Sequence, residues 1–202
     1  RSQSTPFFAW VHMYDPHDPY AAPEPFGSRY TDSPYDGEVA YVDAMVGRLR
    51  QMLEESGAAD NTLIIMTSDH GEGLGDHGEQ THSFFIYDST VRVPLIFWAP
   101  GEIPSGIVAT GRVGVIDIFP TVLTMVGLPI PSNSGVDLSR HFNDQEWSGR
   151  AIYSESLIPY LDFGWSELRA LIDGNYKYIA APEPELYDLE ADPEETKNLV
   201  DT

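Results

Sequence analysis

Residues 62–79 read TLIIMTSDHGEGLGDHGE, and this stretch decides the fold. Thr62 to Thr67 is a short, near-continuous apolar run, the pattern of a strand covered on both faces by helices. Polarity then changes abruptly. Ser68 to Glu79 is polar and Gly-rich, a loop leaving the C-terminal end of that strand. Asp69 and His70 stand side by side at the exit, where a backbone kink, permitted by Gly71, turns both toward one cation. Carboxylate oxygen suits Ca2+, Mg2+ or Mn2+, and imidazole brings in Mn2+ or Zn2+. Two ligands do not make a site, so at least two more must come from elsewhere. The other reading of the same residues is an aspartate capping a turn beside a solvated histidine.

Working outward, Pro6 to Tyr14 (PFFAWVHMY) reads as a buried strand, and Asp15 to Tyr20 (DPHDPY) as a proline-punctuated loop at its C-terminal end. Glu38 to Leu53 reads as an amphipathic helix, with Val39, Val42, Val46, Leu49 and Leu53 spaced by three and four and Gly57 as its stop. Beyond the loop come a short helical or extended stretch, Ser83 to Ser89, and a strand, Val93 to Trp98. Val115 to Val126 becomes a helix with Pro120 near its first turn. From about His141 the texture changes to short strand candidates, Ala151 to Glu155, Leu168 to Ile172, Tyr176 to Ile179 and Leu186 to Leu189, with a turn signal at Asp173-Gly174-Asn175. The order predicts an α/β region over 1–140 and a small antiparallel β subdomain over 141–202, with the acidic end from Asp192 fraying. In α/β sheets ligands gather beyond the C-terminal strand ends, where both histidine loops lie.

Asp and Glu number 32 against 11 Lys and Arg, a formal charge of −21 that opposes nucleic acid and anionic membrane surfaces and attracts divalent cations. An anionic substrate needs local positive charge, such as a metal, to overcome this field. The absence of cysteine excludes disulfides, thiolate zinc sites and cysteine nucleophiles within these residues. No apolar run approaches membrane-spanning length.

Of six histidines, His12, His17, His70, His77 and His82 fall in the first 82 residues. Such clustering in loops after strands points to a metal or oxyanion site; the alternative is ordinary surface histidines. His12 lies inside a strand and reads as a satisfied buried residue or a partner behind the site. Arg92 reads as half of a structural ion pair.

TSDHGEGLGDHGE (67–79) resembles the second metal-binding segment of the sulfatase family, within the alkaline-phosphatase superfamily. VHMYDPHDPY (11–20) resembles its histidine-bearing loop and YDGEVAYVDAMVGRL (35–49) the helix that follows. THSFFIYDSTVRVPLIFWAPG (81–101) resembles the segment after the metal loop. IDIFPTVLTMVGLPIP (116–131), NYKYI (175–179) and ELYDLEADPEETKNL (185–199) resemble the closing signatures. The resemblance runs in order over nearly the whole chain. It implies part of a sulfatase/alkaline-phosphatase-like α/β sandwich with the small C-terminal antiparallel β subdomain.

The resemblance also implies roles. Asp69 and His70 match the pair that binds the active-site divalent cation, although many sulfatases carry asparagine at His70; histidine there occurs in bacterial and phosphoesterase relatives. His17 matches the histidine that contacts the ester oxygen or leaving group. His82 stands where many relatives place a lysine that grips the sulfate, a job a histidine does only when protonated. His77 reads as loop-shaping. The formylglycine nucleophile of the family arises from a Cys/Ser-X-Pro-X-Arg motif that is absent here; it is expected in an N-terminal half preceding these residues, which by itself makes this chain inactive. The expected substrate is a sulfate ester. The alternatives are a phosphodiesterase, phosphonate-ester hydrolase or phosphoethanolamine-type transferase of the same superfamily, or a catalytically silent binding module. Relatives are often exported or membrane-anchored, and these residues assign no compartment.

Overall fold

The computed structural model describes residues 5–144 and 147–200. The chain divides into two compact units, Arg1–Asp60 and Asn61–Thr202.

In the first unit, a short helix α1 (Phe26–Arg29) precedes α2 (Pro34–Glu55). Pro34 sits at the first helical position, where its missing N–H costs no hydrogen bond. At the other end Gly57 adopts φ +71°. The Gly57 N–H then donates to Glu54 O at 3.0 Å and the Ala58 N–H to Leu53 O at 2.9 Å, the left-handed helix stop that glycine allows. The expected strand over Pro6–Tyr14 is instead irregular, and Trp10 is 80% exposed. A strand exists only through a neighbour's hydrogen bonds, and no described residue pairs with this segment. His12, read as a buried residue or a partner behind the site, is exposed with it.

In the second unit, β1 (Ile64–Thr67) pairs antiparallel with β2 (Leu95–Trp98), in register Ile64 with Trp98. Both strands are half-buried rather than covered on two faces. Between them lie the Gly-rich loop and α3 (Asp88–Val91). After β2, α4 (Ile118–Met125) is tied to later chain by Asp117, whose buried carboxylate accepts from Gly114 N at 2.8 Å and Val136 N at 2.7 Å. The chain continues through β3 (Ile152–Ser156), α5 (Ile158–Phe163), β4 (Leu168–Asp173), β5 (Tyr176–Ala180) and β6 (Glu185–Asp188). These four strands form one antiparallel sheet in sequence order. Gly174, at φ +56°, opens the two-residue turn joining β4 to β5.

Period-2 alternation sends Ala170, Ile172 and Ile179 to one face, where they pack with Ile86, Tyr187 and Leu189. Tyr87 and Val91 pack against the same cluster, so the sheet grips the segment leading out of the Gly-rich loop. Lys177 occupies this inward face and is fully buried, at 0% exposure. Its ammonium lies 2.7 Å from Glu195 Oε1 and 3.1 Å from Asp88 Oδ1. The acidic end therefore does not fray over its described part. Glu195 is 2% exposed, Asp192 accepts from the Thr196 and Lys197 amides, and Leu199 N donates to Leu186 O.

Candidate active site

Asp69 and His70 leave β1 as the sequence predicts. The Ser68 hydroxyl donates to His70 O at 2.6 Å and closes the bend between them. His70 Nδ1 lies 2.8 Å from Gly71 O, and a carbonyl only accepts, so Nδ1 carries the proton and a neutral ring has its lone pair at Nε2. That Nε2 lies 3.8 Å from Asp69 Oδ2. Metal bonds of about 2.1 Å to imidazole nitrogen and about 2.2–2.4 Å to carboxylate oxygen sum to more than this gap, so one cation fits both atoms. Burial opposes charge on Asp69. Hydrogen bonds from its own amide, the charge of His70, and hydrogen bonds from the His70 amide and the Ser68 hydroxyl outweigh it, holding the carboxyl below its ordinary range. Among the described residues no group of three or more His, Asp or Glu side chains is placed to hold a metal ion.

The structure brings His82 to this pair. Its ring stacks on His70, centroids 3.9 Å apart and planes 25° from parallel. His82 Nδ1 lies 3.1 Å from Glu72 Oε1, and Glu72 is buried. A carboxylate there fixes the ring's rotation. A second buried carboxylate, Glu79, accepts the amides of Phe84 at 2.7 Å and Phe85 at 3.0 Å and so closes the loop just past His82. His77 shapes the loop: at φ +48° its ring lies flat on Tyr87, centroids 3.5 Å apart, and its Nε2 reaches Glu194 O at 3.0 Å.

In the first unit, His17 Nδ1 lies 2.6 Å from Asp18 O and its ring rests against Tyr14. The loop carrying it is held by Glu38, fully buried at the start of α2, whose carboxylate accepts the amides of His17 at 2.9 Å and Ala21 at 2.6 Å. Arg92 is exposed and makes no ion pair among the described residues.

Glu38, Glu72 and Glu79 escaped the sequence reading. A glutamate in a polar loop or on a helix normally faces water. The signal available was weak: Glu38 breaks the apolar spacing that begins at Val39, and Glu72 and Glu79 bracket the Gly-rich turn.

The family profile described as "Sulfatase" matches residues 1–128, and that described as "N-sulphoglucosamine sulphohydrolase, C-terminal" matches 75–202. This chain belongs to the sulfatase family. Arylsulfatase K of Bos taurus is 31% identical over 82% of the chain and 32% of its own length. Choline-sulfatase of Rhizobium meliloti is 33% identical, over 83% of the chain and 32% of its own length. The chain thus spans about a third of the length of these relatives. A protein solved in complex with its substrate, D-glucosamine-2-N,6-O-disulfate, superposes with TM-score 0.73 at 29% identity, over 87% of this chain and 37% of that one. The phosphonate monoester hydrolase of Agrobacterium radiobacter gives TM-score 0.69 at 32% identity, over 83% and 36%.

Proposed function

We propose that these residues form part of a divalent-cation-dependent hydrolase of sulfate esters, and that the nucleophile is contributed by sequence outside them. The observation that carries this reading is the joining of Asp69, His70 and His82: a cation-sized gap of 3.8 Å flanked by a stacked second imidazole. Asp69 and His70 would hold the cation, which when bound would supply positive charge to the ester oxygens. Ca2+, Mg2+ and Mn2+ suit the carboxylate, and Mn2+ or Zn2+ the imidazole. His82, oriented by Glu72, contacts the sulfate oxygens. For His17, on the loop held by Glu38 in the other compact unit, the family resemblance implies the role of a proton donor to a leaving group. The similarity to sulfatases over most of the chain supports the ester class.

Each cation in turn should raise the melting temperature of this chain, by about 5–10 °C at a hundredfold excess over Kd for the one that fits best. Asp69→Ala and His70→Ala should each remove the shift. A shift that survives both substitutions, or no shift with any of the four ions, would refute the assignment.

Phosphonate-ester hydrolysis is the second reading, favoured by His70 in place of asparagine and by the likeness to a phosphonate monoester hydrolase. A longer protein carrying the nucleophile should turn over p-nitrophenyl sulfate faster than p-nitrophenyl phenylphosphonate; the reverse order would select the second reading.

A further inference from the structure

Two adjacent residues of the closing acidic segment reach back to the Gly-rich loop and to α3. The Glu194 carbonyl lies 3.0 Å from His77 Nε2, inside the loop. The Glu195 carboxylate accepts the Asp88 amide at 2.5 Å, at the start of α3, and its other oxygen lies 2.7 Å from the Lys177 ammonium. Further along α3, the Thr90 carbonyl accepts the Gly71 amide at 2.7 Å. One turn of chain therefore touches both the loop and the helix on which the Asp69–His70 bend rests. That turn is built from its own bonds. The Glu195 N–H donates to Asp192 O at 3.1 Å, and the Asp192 carboxylate accepts the amides of Thr196 at 3.2 Å and Lys197 at 2.8 Å. Glu195 itself is 2% exposed and stands at φ +52°. Left-handed backbone is unfavourable for a glutamate and natural for glycine. Among the described residues the other non-glycine positions with positive φ are Leu74, His77 and Ser83, all on the chain between Gly71 and α3. Such strain persists only where the surroundings hold it, and at Glu195 what holds it is the pair of partners on its carboxylate.

Resting on the cation reading of Asp69 and His70, we infer that Glu195 is a positioning residue for that pair, acting through the Asp88 amide and α3, while the Glu194 carbonyl holds the loop at His77. Glu195 touches neither cation nor substrate. It fixes the start of α3, and α3 fixes the Gly71 amide next to His70. A role confined to the local turn would be served at least as well by glycine, which adopts this φ without strain. Glycine would, however, free the Asp88 amide and leave Lys177 with Asp88 as its remaining carboxylate partner among the described residues. The two readings of Glu195 thus predict opposite results for the same substitution.

The test pairs two measurements on the full chain: calorimetric titration with Mn2+, which suits both ligand types, and hydrogen exchange of the Gly71 amide without cation. Glu195→Gly should speed Gly71 exchange and weaken Mn2+ about tenfold or more, as loss of a supporting partner does at metal sites. Glu195→Gln, whose amide oxygen still accepts the Asp88 N–H, should recover most of both. His77→Phe keeps a ring against Tyr87 but loses the bond to Glu194 O, and should weaken Mn2+ in the same direction. Ile152→Ala is the control for stability alone, on β3 at the opposite edge of the sheet from β6. It should lower the unfolding midpoint and leave the Mn2+ affinity of the folded chain unchanged. Wild-type Gly71 protection and Mn2+ affinity in Glu195→Gly would overturn the inference. So would an equal loss of affinity in Ile152→Ala, since general destabilisation would then explain both. The cation reading fails separately, if the wild-type chain binds no Mn2+; Gly71 exchange in Glu195→Gly still decides whether the turn holds the loop.

Discussion

Replacing Lys177 by alanine is expected to remove about 3–5 kcal/mol of stability, because the ammonium is the buried counter-charge of two carboxylates. Lys177 lies on the core face of β5, fully enclosed, with Glu195 and Asp88 within 3.1 Å. Burial pushes the Glu195 carboxyl up, and Lys177 is the main influence pulling it down. Removal of the ammonium leaves two like charges facing each other out of reach of water. The damage spreads, since Glu195 also accepts the Asp88 amide at 2.5 Å and so holds the start of α3 against the sheet. Urea unfolding reads the effect as a lower midpoint at unchanged slope. A triple replacement, Lys177→Met with Glu195→Gln and Asp88→Asn, removes all three charges and should recover most of the loss. A cost below about 1 kcal/mol for Lys177→Ala would mean that water reaches the cluster.

The same residues show what sequence can and cannot carry. The strands β3 to β6 were legible because alternation and the Asp173-Gly174-Asn175 turn are local signals. The facing of β5 was not. In Tyr176-Lys177-Tyr178-Ile179 both tyrosines are exposed and Lys177 is buried. Only the partners of Lys177, 89 residues upstream and 18 downstream, decide that face. Asp69 and His70 were legible as neighbours at a strand end. The stacking of His82 on His70 depends on a loop closed by Glu72 and Glu79, whose burial is offset by donors that no spacing reveals. Pro6–Tyr14 failed for the matching reason, since composition proposes a strand and only a pairing neighbour makes one. Family resemblance named His17, His70 and His82 together, which residue chemistry alone left as a histidine cluster.

Gly71→Ala should disable the proposed cation site although Asp69 and His70 themselves are unchanged. The sequence suggests that Gly71 serves a backbone kink. The structure gives another reason, because Gly71 is not among the glycines with positive φ. A Cβ built on it meets Ser89 O at 2.2 Å, Ser89 C at 3.2 Å and Thr90 Cα at 3.3 Å, all backbone atoms. The Gly71 N–H donates to Thr90 O at 2.7 Å, so the loop carrying Asp69 and His70 lies directly on α3. That helix cannot retreat: the Asp88 amide is held by Glu195, and the Thr90 hydroxyl donates to Phe85 O at 3.0 Å. The loop must therefore give way, carrying His70 with it. The expected cost is about 1–3 kcal/mol, as for an extra methyl forced into packed chain, together with loss of the cation-induced melting shift. Gly57→Ala is the control. Its φ of +71° makes alanine unfavourable by about 1 kcal/mol, but its Cβ meets nothing within 4 Å, and it caps α2 in the other compact unit. It should lower stability and keep the full cation response. A full response in Gly71→Ala would show that the Asp69–His70 geometry does not depend on this close approach, and that the bend closed by Ser68 alone suffices to hold it.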